Sequence, residues 1–151
     1  MERRDFLKKA GAGTAVAAGT LAAPAIVKAR TEIAMVTTWP RDFPGLGTGA
    51  QRFAKSLSEL SDGRLNVTYY ASGERVKPFD SFDEVASGNA QMYHAADYYW
   101  KGKHPGWAYF TAVPFGFVYS EINAWINWGG GQELWDELSG EFGLKCLTCG
   151  N

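Results

Sequence analysis

Hydrophobic and polar positions recur with different periods along the first half of the chain, and they predict a strand, a helix and a second strand. Residues 31–38 form a short apolar run typical of a buried strand, which Pro40 ends because proline lacks a backbone N–H. Apolar residues then recur at helical spacing over residues 47–60. Residues 64–70 alternate with the period of a strand. This order predicts parallel strands joined by a right-handed crossover helix.

The second half of the pattern predicts three more helices and two more strands. A helix begins near Pro78 and ends at Gly88, and residues 91–95 form a short strand. Ser120 is expected to cap a helix that the triple glycine at residues 129–131 breaks, and another helix follows. Residues 143–148 are typical of a last strand. Three tryptophans on these helices are expected to pack in the core or between helices: Trp125, Trp128 and Trp135.

Residues 93–119 carry many rings on irregular backbone. Ten of these residues are aromatic and three are formally charged, while five glycines and prolines interrupt any long helix or strand. Such a stretch is typical of a concave binding site, and an aromatic-rich core loop is the alternative. Because the carboxyl ends of parallel strands meet at one edge of a sheet, the loops at Trp39, residues 71–73 and residues 96–100 should converge. We expect a ligand site there that includes Trp39, Tyr98, Tyr99 and Trp100.

The composition is that of a globular protein, with 46% hydrophobic and 21% charged residues. The net charge of -1 is unevenly distributed, since residues 1–29 carry a net charge of +3 and the remaining residues carry -4. A mildly acidic body without a basic stripe argues against a nucleic acid partner. The basic start and the uncharged run at residues 10–27 predict a signal peptide cleaved after Ala29. A permanent anchor is the weaker alternative, because Ala, Gly and Thr dominate the run.

The first residues also resemble a specific export signal. Arg3 and Arg4, followed by Phe6 and Leu7, match the twin-arginine pattern, whereas Glu2 stands where that pattern usually carries Ser or Thr. The match predicts export of the folded protein by the Tat machinery. The mature chain would then comprise residues 30–151 and act in the periplasm.

Side chains suited to catalysis or metal binding are sparse. Cys146 and Cys149 have the spacing of a redox pair or half a zinc knuckle, but His94 and His104 lie at no matching spacing. We therefore favour incidental cysteines, with an exported redox or metal-site protein as the alternative. Neither histidine has a partnered nucleophile, so no enzyme is predicted. Asp97 could orient a ligand group, although a solvated turn carboxylate is the commoner outcome.

Three glycines, Gly45, Gly47 and Gly49, precede or begin the first predicted helix. Their spacing is not that of a phosphate-binding fingerprint. We expect them to let the chain enter the helix and approach a neighbour closely. The helix N-terminus there would favour an anionic group.

Five segments, in order, resemble the periplasmic solute-binding subunits of TRAP transporters. They are FPGLGTGA (43–50), GRLNVTYYASGE (63–74), YYWKGKHP (98–105), FTAVPFG (110–116) and GGGQELW (129–135). The similarity is to the branch that binds 2-oxo acids and related monocarboxylates, often labelled for mannitol or chloroaromatic compounds. It implies a periplasmic-binding-protein-like (Venus flytrap) α/β fold, with a parallel-rich sheet flanked by helices. Such a protein closes on an organic anion and delivers it to membrane permease subunits for sodium-driven uptake.

The resemblance also implies roles for individual residues. Tyr98 and Tyr99 match the aromatic wall of the family's pocket, and Trp39 lies in the adjoining loop. Asn151 matches the first residue of the loop leading to the family's carboxylate-binding Arg and sodium-holding residues. Cys146 and Cys149 are not part of the family pattern.

The family's chains are much longer than this one, so the resemblance implies a truncated protein. Residues 30–151 would form its N-terminal portion, mainly the first α/β domain. We expect no cofactor in this portion, sodium only in a full-length protein, and weak solute binding by the isolated chain. The resemblance leaves open whether two receptors pair as a homodimer. An aromatic carbohydrate-binding module is a second alternative, because stacked rings also suit sugars.

Overall fold

The computed structural model describes residues 30–149. The predicted signal peptide, with Arg3, Arg4, Phe6 and Leu7, lies outside the described residues, and so does Asn151. Within residues 30–149, no helix combines the length and the apolar character needed to cross a membrane.

Three strands form one parallel sheet. β1 spans Thr31–Thr37, β2 spans Leu65–Tyr70 and β3 spans Met92–His94, in the order β2-β1-β3. β1 pairs with β2 from Thr31↔Leu65 to Val36↔Tyr70 and with β3 from Met35↔Met92 to Thr37↔His94. The predicted strand–helix–strand order, the parallel pairing and the α/β class are therefore confirmed.

Helix α1 joins β1 to β2 and packs on one face of the sheet. It spans Leu46–Leu60, close to the predicted residues 47–60. Ala50 and Ala54 lie one turn apart on the same helix face and bury together with Met35 of β1. These three residues form the smaller of two hydrophobic cores.

Two glycines shape the entry into α1. Gly45 precedes the helix with φ of 78°, a left-handed conformation that glycine adopts without steric cost. A Cβ at Gly47 would lie 2.5 Å from the carbonyl oxygen of Pro40, so the loop approaches the helix too closely for a larger residue. The predicted use is confirmed for Gly45 and Gly47, whereas Gly49 has no neighbour within 4 Å of an added Cβ.

The larger core lies on the opposite face of the sheet. Met92 packs against the smaller core and its neighbour Tyr93 packs against the larger one, as expected because successive strand residues face opposite sides. The buried residues of the larger core are Phe82, Trp100, Trp107, Phe110, Ile126, Trp135, Leu138 and Cys146.

Helices α2, α3 and α4 confirm the three remaining helix predictions. α2 spans Ser81–Ala86 and directly follows a short 3-10 helix at Pro78–Asp80. α3 spans Tyr119–Trp128 and α4 spans Gly131–Gly140. Two further 3-10 helices, Asp97–Trp100 and Pro105–Phe110, interrupt the aromatic stretch.

The start of α3 differs from the prediction that Ser120 caps it. The capping residue is Val118, two positions earlier. The Glu121 carboxylate accepts a hydrogen bond from the Val118 N–H at 2.9 Å. A carboxylate three residues into a helix commonly reaches back in this way, so Glu121 supplies the cap interaction instead of Ser120.

The predicted strand at residues 143–148 is wrong for the described chain, where these residues are irregular. A strand is stabilised by hydrogen bonds to a neighbouring strand, and the alternating pattern alone cannot supply that neighbour. One side of this segment instead borders a cavity that separates it from β3.

The three tryptophans of α3 and α4 have different environments. Trp135 is buried and Trp125 is half-buried, and both rings stack on Phe110, at centroid distances of 5.2 and 5.7 Å. The packing prediction is confirmed for these two. It is wrong for Trp128, which is 89% exposed because it lies on the outer face of α3.

The aromatic stretch divides between the interior and the surface. Trp100, Trp107 and Phe110 are buried, as the core-loop alternative predicts. Four other rings are exposed, with fractions from 60% to 109%: Tyr109, Phe115, Phe117 and Tyr119. The residues of the stretch that lie beside Trp39 at the carboxyl edge of the sheet include His94, Tyr98 and Tyr99.

Candidate functional site

The loops that follow the three strands meet at one edge of the sheet, as the sequence predicts. The backbone N–H of Ser72 donates to the carbonyl oxygen of Trp39 at 2.9 Å, which ties the loop after β2 to the loop after β1. The N–H of Thr38 donates to the carbonyl oxygen of His94 at 3.3 Å, which ties β1 to the end of β3. Backbone hydrogen bonds therefore hold the three loops in one place.

Trp39, Tyr98 and Tyr99 come together at this edge. The rings of Tyr98 and Tyr99 pack edge to face, with centroids 4.7 Å apart. The pKa of Tyr99 is raised by burial and by its interactions with Tyr98, and a side-chain hydrogen bond with Trp39 acts in the opposite direction. Tyr98 remains 38% exposed. The three side chains thus form a continuous aromatic surface on which the Trp39 indole N–H is bonded to Tyr99.

Phe79 and His94 support this surface, and sequence analysis did not assign either of them to it. The ring of Phe79 packs edge to face on Tyr99 at 5.2 Å. The ring of His94 packs edge to face on Trp39 at 4.9 Å. Burial lowers the pKa of His94, so the neutral imidazole is favoured beneath Trp39. The one signal in the sequence for its role was the position of His94 near the end of the predicted strand at residues 91–95.

Trp100 is separated from the other predicted site residues. Its side chain is buried in the larger core and packs against Phe82 at 5.2 Å. Its indole N–H donates to the carbonyl oxygen of Phe79 at 2.9 Å, so its only polar group already has a partner. Trp100 therefore lies behind the aromatic surface and supports Tyr99, whose ring centroid is 6.1 Å away.

Asp97 begins the 3-10 helix that carries Tyr98 and Tyr99, and its carboxyl group is buried. Asp97 Oδ2 accepts a hydrogen bond from the indole N–H of Trp135 at 2.8 Å, and Oδ1 lies 3.4 Å from the Tyr93 hydroxyl. Burial raises the pKa of Asp97 to about 6, while these two hydrogen bonds act in the opposite direction. The expectation of a solvated turn carboxylate is wrong, because the 3-10 helix turns this side chain into the core.

An ion pair that sequence analysis did not predict joins the loops after β1 and β2. Arg41 Nε and Nη2 donate to the two carboxylate oxygens of Glu74 at 2.9 and 2.6 Å. Glu74 also accepts the N–H of Ala71 at 2.9 Å. The hydrogen bond from Arg41 is the main cause that lowers the pKa of Glu74. Because the two residues are 33 positions apart, no local spacing could reveal the pair.

The two cysteines do not form a site. Both thiols are free, with Cys146 buried and Cys149 exposed. Burial raises the pKa of the Cys146 thiol to about 12, whereas a reactive cysteine needs a lowered pKa. Within residues 30–149, no group of three or more His, Cys, Asp or Glu side chains is placed to hold a metal ion.

Two cavities of about 640 and 660 Å³ open in the described part of the chain. The smaller lies among apolar side chains of residues 104–138, and the larger lies between β3 and residues 143–149. Neither is lined by Trp39, Tyr98 or Tyr99. Trp39 and Tyr99 are half-buried and Tyr98 is exposed, so these three side chains form an open wall. A second surface would be needed to enclose a ligand against it.

The sequence profile described as bacterial extracellular solute-binding protein, family 7, matches residues 35–151. The chain is 33% identical over 157 aligned positions to a monocarboxylate 2-oxoacid-binding periplasmic protein of Nostoc sp. strain PCC 7120. That alignment covers 100% of this chain and 43% of the Nostoc protein, so the chain spans less than half the length of this relative.

Two solved structures show the same fold over the described region. One is a TRAP periplasmic solute-binding protein from Colwellia psychrerythraea with bound calcium and pyruvate, and the other is from Pseudoalteromonas atlantica T6c with bound sodium and pyruvate. Each has 38% sequence identity and a TM-score of 0.73, over 76% of this chain and 35% of the solved chain.

Proposed function

Because this chain belongs to family 7 of the bacterial extracellular solute-binding proteins, we propose that it is part of the solute-binding component of a TRAP transporter. Its ligand would be a small organic anion, either a 2-oxo acid or another monocarboxylate. The names of the Nostoc, Colwellia and Pseudoalteromonas relatives support this ligand class. The family is one of binding proteins and not a class of enzymes.

The observation that carries the proposal is the aromatic wall at the carboxyl edge of the sheet. In open α/β sheets, ligands bind outside the carboxyl ends of the strands. Trp39, Tyr98 and Tyr99 meet there, and the Phe79 and His94 rings pack against them. In the proposed site this wall contacts the organic part of the anion, and Tyr hydroxyls donate hydrogen bonds to its oxygens. Asn151, outside the described residues, would extend the site.

The proposal includes a location and partners. The relative from Nostoc is named as periplasmic, and residues 1–29 have the pattern of an export signal. We propose that Arg3, Arg4, Phe6 and Leu7 direct the chain to the Tat machinery and that residues 30–151 act in the periplasm. There the receptor would deliver its ligand to the TRAP membrane permease subunits for sodium-coupled uptake, either alone or as a homodimer.

Two of the solved relatives contain a bound ion. The Colwellia and Pseudoalteromonas proteins are named with bound calcium and sodium, respectively. Residues 30–149 offer no group of three or more His, Cys, Asp or Glu side chains for a metal ion. We propose that any sodium is bound by a full-length protein.

The alternative function as a redox or metal-site protein has no supporting observation in the site. Burial shields Cys146 and raises the pKa of its thiol, which opposes thiolate chemistry. The aromatic wall and the family membership instead favour reversible ligand binding.

A chimeric receptor tests the proposed function. Residues 30–149 of this chain would replace the matching residues of the Colwellia protein, which has a solved pyruvate complex. Isothermal titration calorimetry would then measure the Kd for pyruvate. We expect the chimera to bind pyruvate, and we expect Trp39→Ala or Tyr99→Phe to weaken binding by about tenfold, equivalent to about 1.4 kcal/mol.

The matched control is Trp128→Ala in the same chimera, because Trp128 is exposed on α3 and outside the aromatic wall. This variant should leave the Kd unchanged. A chimera with a native circular dichroism spectrum that fails to bind pyruvate, under conditions where the intact Colwellia protein binds it, would contradict the proposed function.

A further inference from the structure

The ion pair between Arg41 and Glu74 is supported by further contacts on both partners. Two hydrogen bonds, of 2.9 and 2.6 Å, join the guanidinium to the carboxylate. The guanidinium also lies over the ring of Tyr69 in β2, 5.0 Å from the ring centroid. Glu74 accepts another hydrogen bond, of 2.9 Å, from the N–H of Ala71. The two charged groups are therefore held in one geometry, although their side chains remain 45% and 38% exposed.

The same two loops are also joined at Trp39, which lies two residues before Arg41. The Trp39 carbonyl oxygen accepts hydrogen bonds from the N–H of Ser72 at 2.9 Å and from the Thr37 hydroxyl at 3.0 Å. Ser72 in turn lies two residues before Glu74. The ion pair and the Ser72–Trp39 hydrogen bond thus close a ring that consists of residues 39–41 and 72–74. A shift of the Trp39 backbone would therefore strain the ion pair.

The residue after Arg41 anchors the loop on α1. The N–H of Asp42 donates to Gln51 Oε1 at 3.3 Å, and Gln51 Nε2 donates to Asp42 Oδ1 at 3.0 Å. Asp42 has φ of 59°, a left-handed conformation that is uncommon for a residue other than glycine. Residues 39–42 are therefore fixed both to the loop after β2 and to α1.

We propose that Arg41 and Glu74 are positioning residues for ligand binding, which hold Trp39 in place within the aromatic wall. The ring of Trp39 packs on His94 at 4.9 Å, so the ion pair fixes the Trp39 backbone and His94 supports its side chain. The Glu74 carboxylate neutralises the guanidinium and occupies two of its three nitrogen atoms, so the pair acts through Trp39 and not by contact with the anion. This inference rests on the proposed function, because it assigns the pair a role in ligand binding.

Two substitutions separate positioning from direct contact with the ligand. Arg41→Met keeps the aliphatic stem, and Glu74→Gln keeps an oxygen that can accept the Ala71 N–H, but each removes the ion pair. For a positioning pair, both substitutions should weaken binding by similar factors, and the double variant should be no weaker than either single variant. If Arg41 contacted the anion instead, Glu74→Gln would free the guanidinium and strengthen binding.

Calorimetry with pyruvate tests the role in binding, with each variant placed in the chimeric receptor. We expect Arg41→Met and Glu74→Gln each to raise the Kd by about fivefold, the upper end for an exposed ion pair. Lys103→Met is the matched control, because Lys103 also forms an ion pair, with Asp83 at 2.7 Å, and lies 5.2 Å from the centroid of the Phe82 ring. Asp83 and Phe82 belong to α2 and not to the two joined loops, so this control should leave the Kd unchanged.

Hydrogen exchange of the 15N-labelled full chain, without ligand, tests whether the pair holds Trp39. The Ser72 amide reports this directly, because it donates to the Trp39 carbonyl oxygen. In Arg41→Met and in Glu74→Gln, we expect the Ser72 amide to exchange about fivefold faster, since the two loops can separate locally. The amides of β1 should keep their exchange rates, whereas a general loss of stability would accelerate all of them.

Three results would overturn the inference. They are unchanged exchange of the Ser72 amide in both variants, an unchanged Kd for pyruvate in both variants, and stronger pyruvate binding by Glu74→Gln. A chimera without any of these substitutions that fails to bind pyruvate would instead contradict the proposed function. The exchange of the Ser72 amide would then still decide whether the ion pair holds Trp39, so the two failures can be distinguished.

Discussion

The carboxyl group of Asp97 accepts a hydrogen bond of 2.8 Å from the indole N–H of Trp135, and both side chains are buried. Asp97 directly precedes Tyr98 and Tyr99, while Trp135 belongs to α4 and stacks on Phe110 at 5.2 Å. This bond therefore connects the candidate aromatic wall to the larger core. Its loss should affect both the stability of the chain and the position of the wall.

Replacement of Asp97 tests this connection. Asp97→Ala would leave the buried Trp135 N–H without a partner and should lower the free energy of unfolding by roughly 1–3 kcal/mol. Asp97→Asn retains an acceptor oxygen and should cost less. Urea denaturation followed by circular dichroism would measure both variants. Equal stability of Asp97→Ala and the wild type would show that the bond contributes nothing.

Stability should also depend on pH through Asp97. Because burial raises its pKa from 3.8 to about 6, the folded chain retains this proton more strongly than the unfolded chain does. The contribution of Asp97 to stability is therefore full below about pH 4 and decreases by about 3 kcal/mol as the pH rises through about 6. Urea denaturation at a series of pH values would measure this decrease as a falling free energy of unfolding.

Asp97→Asn isolates this effect because it removes the titrating group. His94 has the opposite dependence, since its lowered pKa makes stability fall as the pH decreases. When the free energy of unfolding of Asp97→Asn is subtracted from that of the wild type at each pH, the His94 contribution cancels. If this difference in free energy of unfolding stays constant with pH, Asp97 is not the group that makes stability fall as the pH rises.

Two glycines of α1 should respond in opposite ways to alanine. Gly47→Ala places a Cβ 2.5 Å from the Pro40 carbonyl oxygen and should destabilise the chain by roughly 1–3 kcal/mol. Gly49→Ala has no heavy atom within 4 Å of the new Cβ, so it should stabilise the helix by about 0.5–1 kcal/mol. Urea denaturation would compare the two. Similar effects of both substitutions would show that the close approach at Pro40 is unimportant.

The isolated chain should bind pyruvate weakly. Its aromatic wall is open, and high affinity for a small ligand requires burial on both sides. Isothermal titration calorimetry should give a Kd above about 1 mM, equivalent to less than about 4.1 kcal/mol of binding free energy. Submillimolar binding by residues 30–151 alone would refute the expectation that a second surface is required.

Export should depend on the paired arginines. Replacing both Arg3 and Arg4 with lysine keeps the charge but removes the twin-arginine pattern, so the chain should remain in the cytoplasm. Lys9→Arg is the control, because Lys9 lies outside the twin-arginine pattern and the substitution also conserves charge. Immunoblots of periplasmic and cytoplasmic fractions would measure the distribution. Unchanged periplasmic recovery of the double variant would exclude Tat export.

Local periodicity was sufficient to predict β1, α1 and β2, because the side-chain spacing within each segment determines which face it buries. It was not sufficient for residues 143–148, since a strand also depends on a neighbour distant in sequence. It also failed for Trp128, where aromatic character suggested packing but the helix turns the side chain to solvent.

The candidate site was only partly predictable for similar reasons. Parallel-sheet geometry placed Trp39 beside Tyr98 and Tyr99 correctly. Adjacent residues of a 3-10 helix point in different directions, however, so Trp100 entered the core while Tyr99 stayed at the edge. The Arg41–Glu74 pair joins two loops 33 positions apart and has no signature in either loop.

The rings of Phe115, Phe117 and Tyr119 stand in solvent, with Phe115 fully exposed. Exposed hydrophobic groups of this kind attract chaperones and favour aggregation during synthesis. In a cell that makes this chain without a covering partner, quality-control proteases would therefore shorten its lifetime. The abundance of the chain in the cell would therefore show how completely a partner covers Phe115, Phe117 and Tyr119.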